Sequence, residues 1–384
     1  MAISAAITFI ISTSYSLNIY NDLVADVQQR AEMYTKLEQI DTYVRAYYDG
    51  EIDEDALIEA LAEGYISVLG RDESKYLDET EYSIYKEHLS GTHLGIGVYC
   101  EEVGGYPTVT SVLANSPASL AGLQVGESVV SINGESVLNL GYDRAYELLR
   151  SDAGTPLVIT VRSAGVDRSV NLTTAQMTVP SVSAKIIGDF GYIKVFEFND
   201  KSYQQFTAAY SMLTTSGVKG IVVDLRNNEG LSFDAATNIL NAYLPIDSVV
   251  AITTDLSGNQ SILARASGTH VITVPVTVLT NAKTAGPAEL FAAALRDNLN
   301  AQIVGAYTKG EGTFTENYSL YDGACIILPV ASLQSSDTAF NGTGVKPSYD
   351  VAVEGDTNEY LATLDENTDP CLKKAIELLT QAMG

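Results

Sequence analysis

The stretch most suggestive of chemistry is NAKTAGPAELFAAALRDN, residues 281–298. A β-branched run, VITVPVTVL, precedes it and apolar residues at helical spacing follow, so it reads as a strand emptying into a helix. Strand-to-helix turns of this kind present nucleophiles in several enzyme classes. Here the junction is Gly286-Pro287, with no Ser, Cys or His at the corner. Other candidate groups are sparse. His88, His93 and His270 stand alone in sequence, which argues against a His-based triad or a zinc protease site. Cys100, Cys325 and Cys371 form neither a CxxC pattern nor a disulfide framework, and each reads as a small buried hydrophobe. No metal and no cofactor is expected.

The elements that must position this corner belong to a chain of 384 residues, long enough for two or three domains. Hydrophobic residues make up 46% of it, the share of a globular protein. A formal charge of −26 argues against nucleic acid, whose phosphates need a basic surface. Residues 1–21, MAISAAITFIISTSYSLNIYN, carry no charge and are long enough to cross a bilayer as a helix. They are read as an uncleaved signal-anchor, which places the rest of the chain on the extracytoplasmic side; a soluble amphipathic lead helix is the alternative reading.

Residues 22–90 are expected to be helical. Leu23, Val27, Met33, Leu37, Ile40 and Val44 recur at roughly i, i+3/i+4 spacing, and Asp53 and Gly70 suit a helix start and stop. From 91 to 172, apolar and polar residues alternate between Gly, Asn and Pro turns, interrupted by the helix YDRAYELLRS, as in a small β module. From 180 to 352, runs such as GYIKVFEF, GIVVDLRN and VTVLTN alternate with helical stretches, which predicts a layered α/β domain. A tail, 353–384, ends in an amphipathic helix.

Five segments in this order resemble the C-terminal processing peptidases, serine peptidases of family S41 with an embedded PDZ domain. SPASLAGLQVGESVVSINGESV is similar to the PDZ core pattern. GYIKVFEF with GIVVDLRNNEG resembles the opening of the protease core. VLTNAKTAGPAELFAAALRDN resembles the nucleophile elbow, IVGAYTKGEGTF the strand bearing the general base, and GTGVKPSYDV the closing segment. The resemblance implies an α/β multidomain fold: a helical N-terminal region, a PDZ β-module and a crotonase-like layered peptidase core.

The same resemblance puts Gly286 at the nucleophile position and Glu311 at the position of the general-base Lys. Thr315 stands where a supporting Gln is usual, and Pro287 and Gly230 fall at the oxyanion-hole positions. A Ser hydroxyl needs a base to take its proton, and a Lys does so only when burial keeps it neutral. Gly286 offers no oxygen, Glu311 no amine, and Pro287 no N–H. Loss of one oxyanion donor alone typically costs ~10²–10³ in rate. The expectation is a pseudopeptidase acting as a binding or regulatory protein. One alternative is a serine-type endopeptidase using a displaced pair, Thr284 and Lys309, each two residues before the matching position; that slip would take Glu289, Gly310 and Gly312 out of register. Another is a structural partner of an active paralogue.

A PDZ domain adds a peptide as a strand and holds its terminal carboxylate on successive backbone N–H groups. Leu94, Gly95, Ile96, Gly97 and Val98 resemble that loop and strand, Ile96 and Val98 could line an apolar pocket for the last side chain of the peptide, and Leu148 and Leu149 could form its other wall; these two leucines read equally well as core. The implied partners are protein or peptide C-termini, the membrane through residues 1–21, and a homo- or hetero-oligomer through the N-terminal helices.

Overall fold

The computed structural model describes residues 27–353, 355 and 357–383, so the expected anchor at 1–21 lies outside the described residues. Among the described residues, no helix is long and apolar enough to cross a membrane. The chain divides into two compact units, 1–62 and 63–384. In the first, a helix spans 27–47. Arg45 reaches from it to Asp41 at 2.8 Å and to Glu54 at 2.5 Å, an exposed network of the kind worth little stability. Asp53 caps the next helix, Glu54–Ser67, by accepting from Ala56 N–H at 3.0 Å. Val27, Leu37, Ile40 and Val44, whose spacing marks this helix, stay exposed.

In the second unit, the β module is a sheet of Val98–Val103, Tyr106–Val112, Ser128–Ile132, Pro156–Ser163 and Val166–Thr173, in that order. Its strands follow the two-residue period: in Pro156–Ser163, Leu157, Ile159 and Val161 are buried. The turn between Ser128–Ile132 and Glu135–Ser136 is Asn133-Gly134, both at positive φ, as a tight hairpin requires. Thr92–Gly95 pairs with Ala175–Thr178, so the paired strands run past residue 172.

The α/β layer is a six-stranded sheet ordered Val182–Ile187, Phe190–Val195, Gly220–Asp224, Val276–Thr280, Gln302–Gly305 and Tyr349–Asp350. The first pair is antiparallel and the rest parallel. Both faces are covered, which is why the central strands are continuously apolar. Ile221, Val223 and Val278 face the helices Ser202–Thr215, Phe233–Tyr243 and Pro287–Leu299, while Val222 and Leu279 face Pro370–Gln381. Phe198, Phe206, Tyr243 and Phe291 pack ring to ring on the first side, with neighbouring centroids 5.0–6.1 Å apart. Burying each such ring contributes roughly 1.5–3 kcal/mol and gives the helix Pro287–Leu299 a rigid seat. A second sheet joins Lys75–Leu77 and Thr313–Ser319 to the two edges of Cys325–Gln334, whose far end pairs with Val249–Thr254, with Gln260–Arg265 beyond.

Three adjacent parallel strands end at Asp224, Thr280 and Gly305. The loops leaving these carboxyl ends carry the candidate site, as is general in open α/β sheets.

Candidate functional site

The loop after Val276–Thr280 tightens at once: Thr284 N–H donates to Asn281 O at 3.0 Å, and Asn281 N–H to the Thr284 hydroxyl at 3.1 Å. At Gly286 the backbone turns with φ 50° and ψ −119°, a conformation that favours glycine, and Pro287 opens the helix where its missing N–H costs nothing structurally. A Cβ built on Gly286 would meet only Glu311 O, at 3.9 Å. The corner therefore has room for a side chain and carries none.

What holds the corner is Glu289, on the first turn of that helix and fully buried. Its carboxylate accepts from Gly286 N–H at 2.9 Å and from the N–H groups of Gly310 and Glu311 at 2.7 Å each, and it takes the Thr308 hydroxyl as a fourth donor. Burial pushes its pKa up, while these donors act the other way. One carboxylate thus binds the elbow to the loop bearing Glu311. The three-residue spacing from Gly286 to Glu289 was the sequence signal for it, since it has the form of half a capping box.

Between these loops and the second sheet lies a cleft of about 610 Å³. Gly230, Gly286, Pro287, Lys309, Glu311 and Thr315 all line it. Thr284 does not: it is fully buried, with its hydroxyl donating to Leu225 O at 3.0 Å. Lys309 Nζ is ion-paired with Glu311 and lies 3.8 Å from Asp72. Glu311 is the main cause of its raised pKa, so the amine is held as a cation, the opposite of a neutral base. The link between Thr284 and Lys309 is through backbone, Lys309 N–H to Thr284 O at 2.9 Å.

The residues expected at the oxyanion-hole positions offer no free donor either. Pro287 has no hydrogen to give. Gly230 N–H is donated to Asn228 Oδ1 at 2.8 Å. A Cβ on Gly230 would fall 2.4 Å from Pro287 Cδ, so the proline ring closes against this residue. The next residue, Leu231, sits at φ 87°, a left-handed backbone that a Leu adopts only under strain.

In the β module, Ile96, Val98 and Leu149 are fully buried in its core. This corrects the expectation that Ile96 and Val98 line an open pocket: their side chains fill the module's interior, and Leu149 is core with them. Leu94 and Leu148 are half-buried. His93, beside them, is buried against Tyr99 at 5.0 Å, and burial pushes its pKa down to about 4.

Residues 189–351 match the model of peptidase family S41, and residues 108–163 match the PDZ domain model. The chain is a homologue of the C-terminal processing proteases of family S41. It is 28% identical over 318 residues to the carboxy-terminal processing protease CtpA of Bacillus subtilis, covering 82% of this chain and 68% of that one. To a probable CtpA-like serine protease of Staphylococcus haemolyticus it is 26% identical over 298 residues, covering 77% of this chain and 60% of that one. The photosystem II D1 C-terminal processing protease superposes with a TM-score of 0.48 at 23% identity, over 82% of this chain and 86% of that structure.

Several cleft residues of this S41 homologue come from outside the resembling segments. Asp72, Glu73, Lys75, Tyr85 and His88 belong to the stretch 22–90 expected to be helical, in which Lys75–Leu77 is instead a strand, and Phe233 and Ile327 to a helix and a strand further on; Phe196 and Glu197 lie near the end of GYIKVFEF. His88, isolated in sequence, meets Glu197 at 2.5 Å, and Asn199 Nδ2 fixes the other carboxylate oxygen at 2.7 Å. The Glu197 hydrogen bond raises the His88 pKa. No local pattern could pair residues 109 positions apart. Behind the cleft, Arg226 binds Asp224 at 2.6 Å and Asp369 at 2.8 Å. Against the effect of burial, Lys194 and Arg226 hold the Asp224 carboxyl well below its ordinary pKa. This buried network tethers the loop start at Arg226 to the C-terminal helix.

Proposed function

We propose that this S41 homologue is a pseudopeptidase: it captures polypeptides by their C-termini through the PDZ module and holds chain in the cleft without cutting it. The observation that carries this reading is the open corner at Gly286, where the only neighbour of an added Cβ is a backbone oxygen at 3.9 Å. The space for a nucleophile is kept and the nucleophile is missing. Pro287 removes one oxyanion donor and Asn228 occupies another. Catalysis through Thr284 and Lys309 finds no support in a buried hydroxyl engaged with Leu225 O and an ion-paired ammonium. An extracytoplasmic location, with residues 1–21 as tether, completes the proposal.

The test is incubation of the purified chain with a denatured protein and with a peptide ending in an apolar residue, followed by mass spectrometry. No cleavage products are expected. Turnover abolished by Thr284→Ala or Lys309→Ala would replace this reading with the displaced pair.

A further inference from the structure

We propose that the PDZ module is closed by its own helix, Tyr142–Leu149, which occupies the backbone groups an incoming C-terminus needs, so that peptide binds only by displacing it. This rests on the reading of the module as a C-terminus binder and names how that site is regulated.

Strand Val98–Val103 is the edge of its sheet, paired on one side with Tyr106–Val112. A peptide added as a strand takes its hydrogen bonds from the other side, and its terminal carboxylate takes them from the loop before the strand. Both places are already engaged. The Tyr142 hydroxyl, on the first residue of the helix, donates to Cys100 O in the edge strand at 3.3 Å. Ile96 N–H, in the loop, donates to Leu149 O, on the last residue of the helix, at 3.0 Å. The approach is close: a Cβ on Gly95 would fall 2.4 Å from Leu149 O. The helix is thus tied at one end to the edge strand and at the other to the loop before it.

A further clamp holds the closed form. Arg150, the residue after the helix, is ion-paired with Glu87, and the other oxygen of that carboxylate takes Leu94 N–H. One side chain from Glu79–Leu89 therefore fastens the start of the loop and the end of the helix together. The Arg150 guanidinium also lies over the Tyr146 ring, 5.5 Å from its centroid, and the Tyr142 and Tyr146 rings stack at 5.9 Å.

The exchange on binding is chemically balanced. A peptide carboxylate replaces the Leu149 carbonyl at Ile96 N–H, and an ionised acceptor makes the stronger bond. A peptide N–H replaces the Tyr142 hydroxyl at Cys100 O, and the phenol turns to water. Apparent affinity is then lowered by the fraction of molecules in which the helix is away.

The experiment titrates the full chain with a fluorescein-labelled peptide ending in an apolar residue, once with a free carboxylate and once amidated. In parallel, amide exchange at Ile96 is followed without peptide. Wild type is expected to bind the free acid over the amide, and Tyr142→Phe to bind it about three- to tenfold more tightly, the worth of one net hydrogen bond. Ile96 exchange is expected to be slow in wild type and faster in Tyr142→Phe. Glu87→Gln, which frees Arg150, is expected to act in the same direction and serves if Tyr142→Phe folds poorly. Unchanged affinity and unchanged Ile96 exchange in the variants would overturn the closure. Faster Ile96 exchange with no peptide bound by any protein would instead overturn C-terminus capture and leave the closure standing.

Discussion

At Gly286 the backbone makes a nucleophile-like turn beside about 610 Å³ of open cleft, yet no reactive atom stands there. At Ile96 the amide of the PDZ loop is present but already bonded to Leu149 O. One region has open space and no reactive side chain at its corner; the other has a backbone donor that is already engaged. The difference follows from what each activity requires. A serine-type site depends on a hydroxyl, an amine and amide hydrogens at a few positions, and Gly286, Glu311 and Pro287 offer none of them. Strand addition depends on backbone groups that every residue but proline keeps, and in this module another part of the chain engages them. The cleft's shape persists because Glu289 and the Arg226 network, neither of them reactive groups, hold its walls.

The sharpest test of that last point is Glu289→Ala. It leaves three N–H groups and a hydroxyl unpaired in a buried place, at about 1 kcal/mol or more each. A loss of about 4 kcal/mol in denaturant unfolding is expected, and a loss below about 1 kcal/mol would mean that the walls are held otherwise. Next comes restoration of the chemistry. Gly286→Ser with Glu311→Lys and Pro287→Ala is expected to produce measurable hydrolysis of a denatured protein. The same variant with Pro287 retained is expected to be slower by about 10²–10³, the worth of one oxyanion donor. Equal rates with and without Pro287 would show that the donor at this position is irrelevant.

The two regions should also respond oppositely to acid. Burial lowers the His93 pKa to about 4 from an ordinary ~6.5, so its neutral form favours the folded state. That contribution is complete above pH ~6.5 and is lost as pH falls toward 4, an effect on the order of 3 kcal/mol. His93→Gln should flatten the acid limb of thermal stability. His88, at the cleft, has its pKa raised by Glu197, so its contribution is complete below pH ~6.5 and is lost as pH rises through the raised value. Because the His88 side chain is nearly half exposed, solvent screening keeps this effect small. Glu197→Gln should remove it, seen as a melting temperature that no longer declines above neutral pH. A shared direction of response in the two variants would break the contrast.

Much of the fold was legible because it is written locally. Alternation in PLVITVRS, the Asn133-Gly134 turn and the continuous β-branched run at 220–224 each act over a few residues, and the structure has a strand, a hairpin and a doubly covered strand there. The missing hydroxyl at Gly286 and missing N–H at Pro287 were legible for the same reason: they are properties of single residues. The apolar spacing at 27–44 marked a helix and left its surroundings undecided, because periodicity shows that a face exists and not that anything covers it. The open-pocket reading of Ile96 and Val98 failed, since whether an apolar side chain lines a groove or fills a core depends on what packs above it.

By itself, then, the sequence determined which atoms are available: no hydroxyl at 286, no amine at 311, no amide hydrogen at 287, and a glycine-containing loop at 94–98. Tertiary structure alone decided which of the remaining groups meet: Glu289 with the loops at 286 and 311, His88 with Glu197, Lys309 with Glu311, Leu149 O with Ile96 N–H. The physical reason is reach. Covalent identity and backbone propensity act within a few residues, whereas hydrogen bonds and ion pairs join whatever the packed chain brings within about 3 Å, at any separation in sequence.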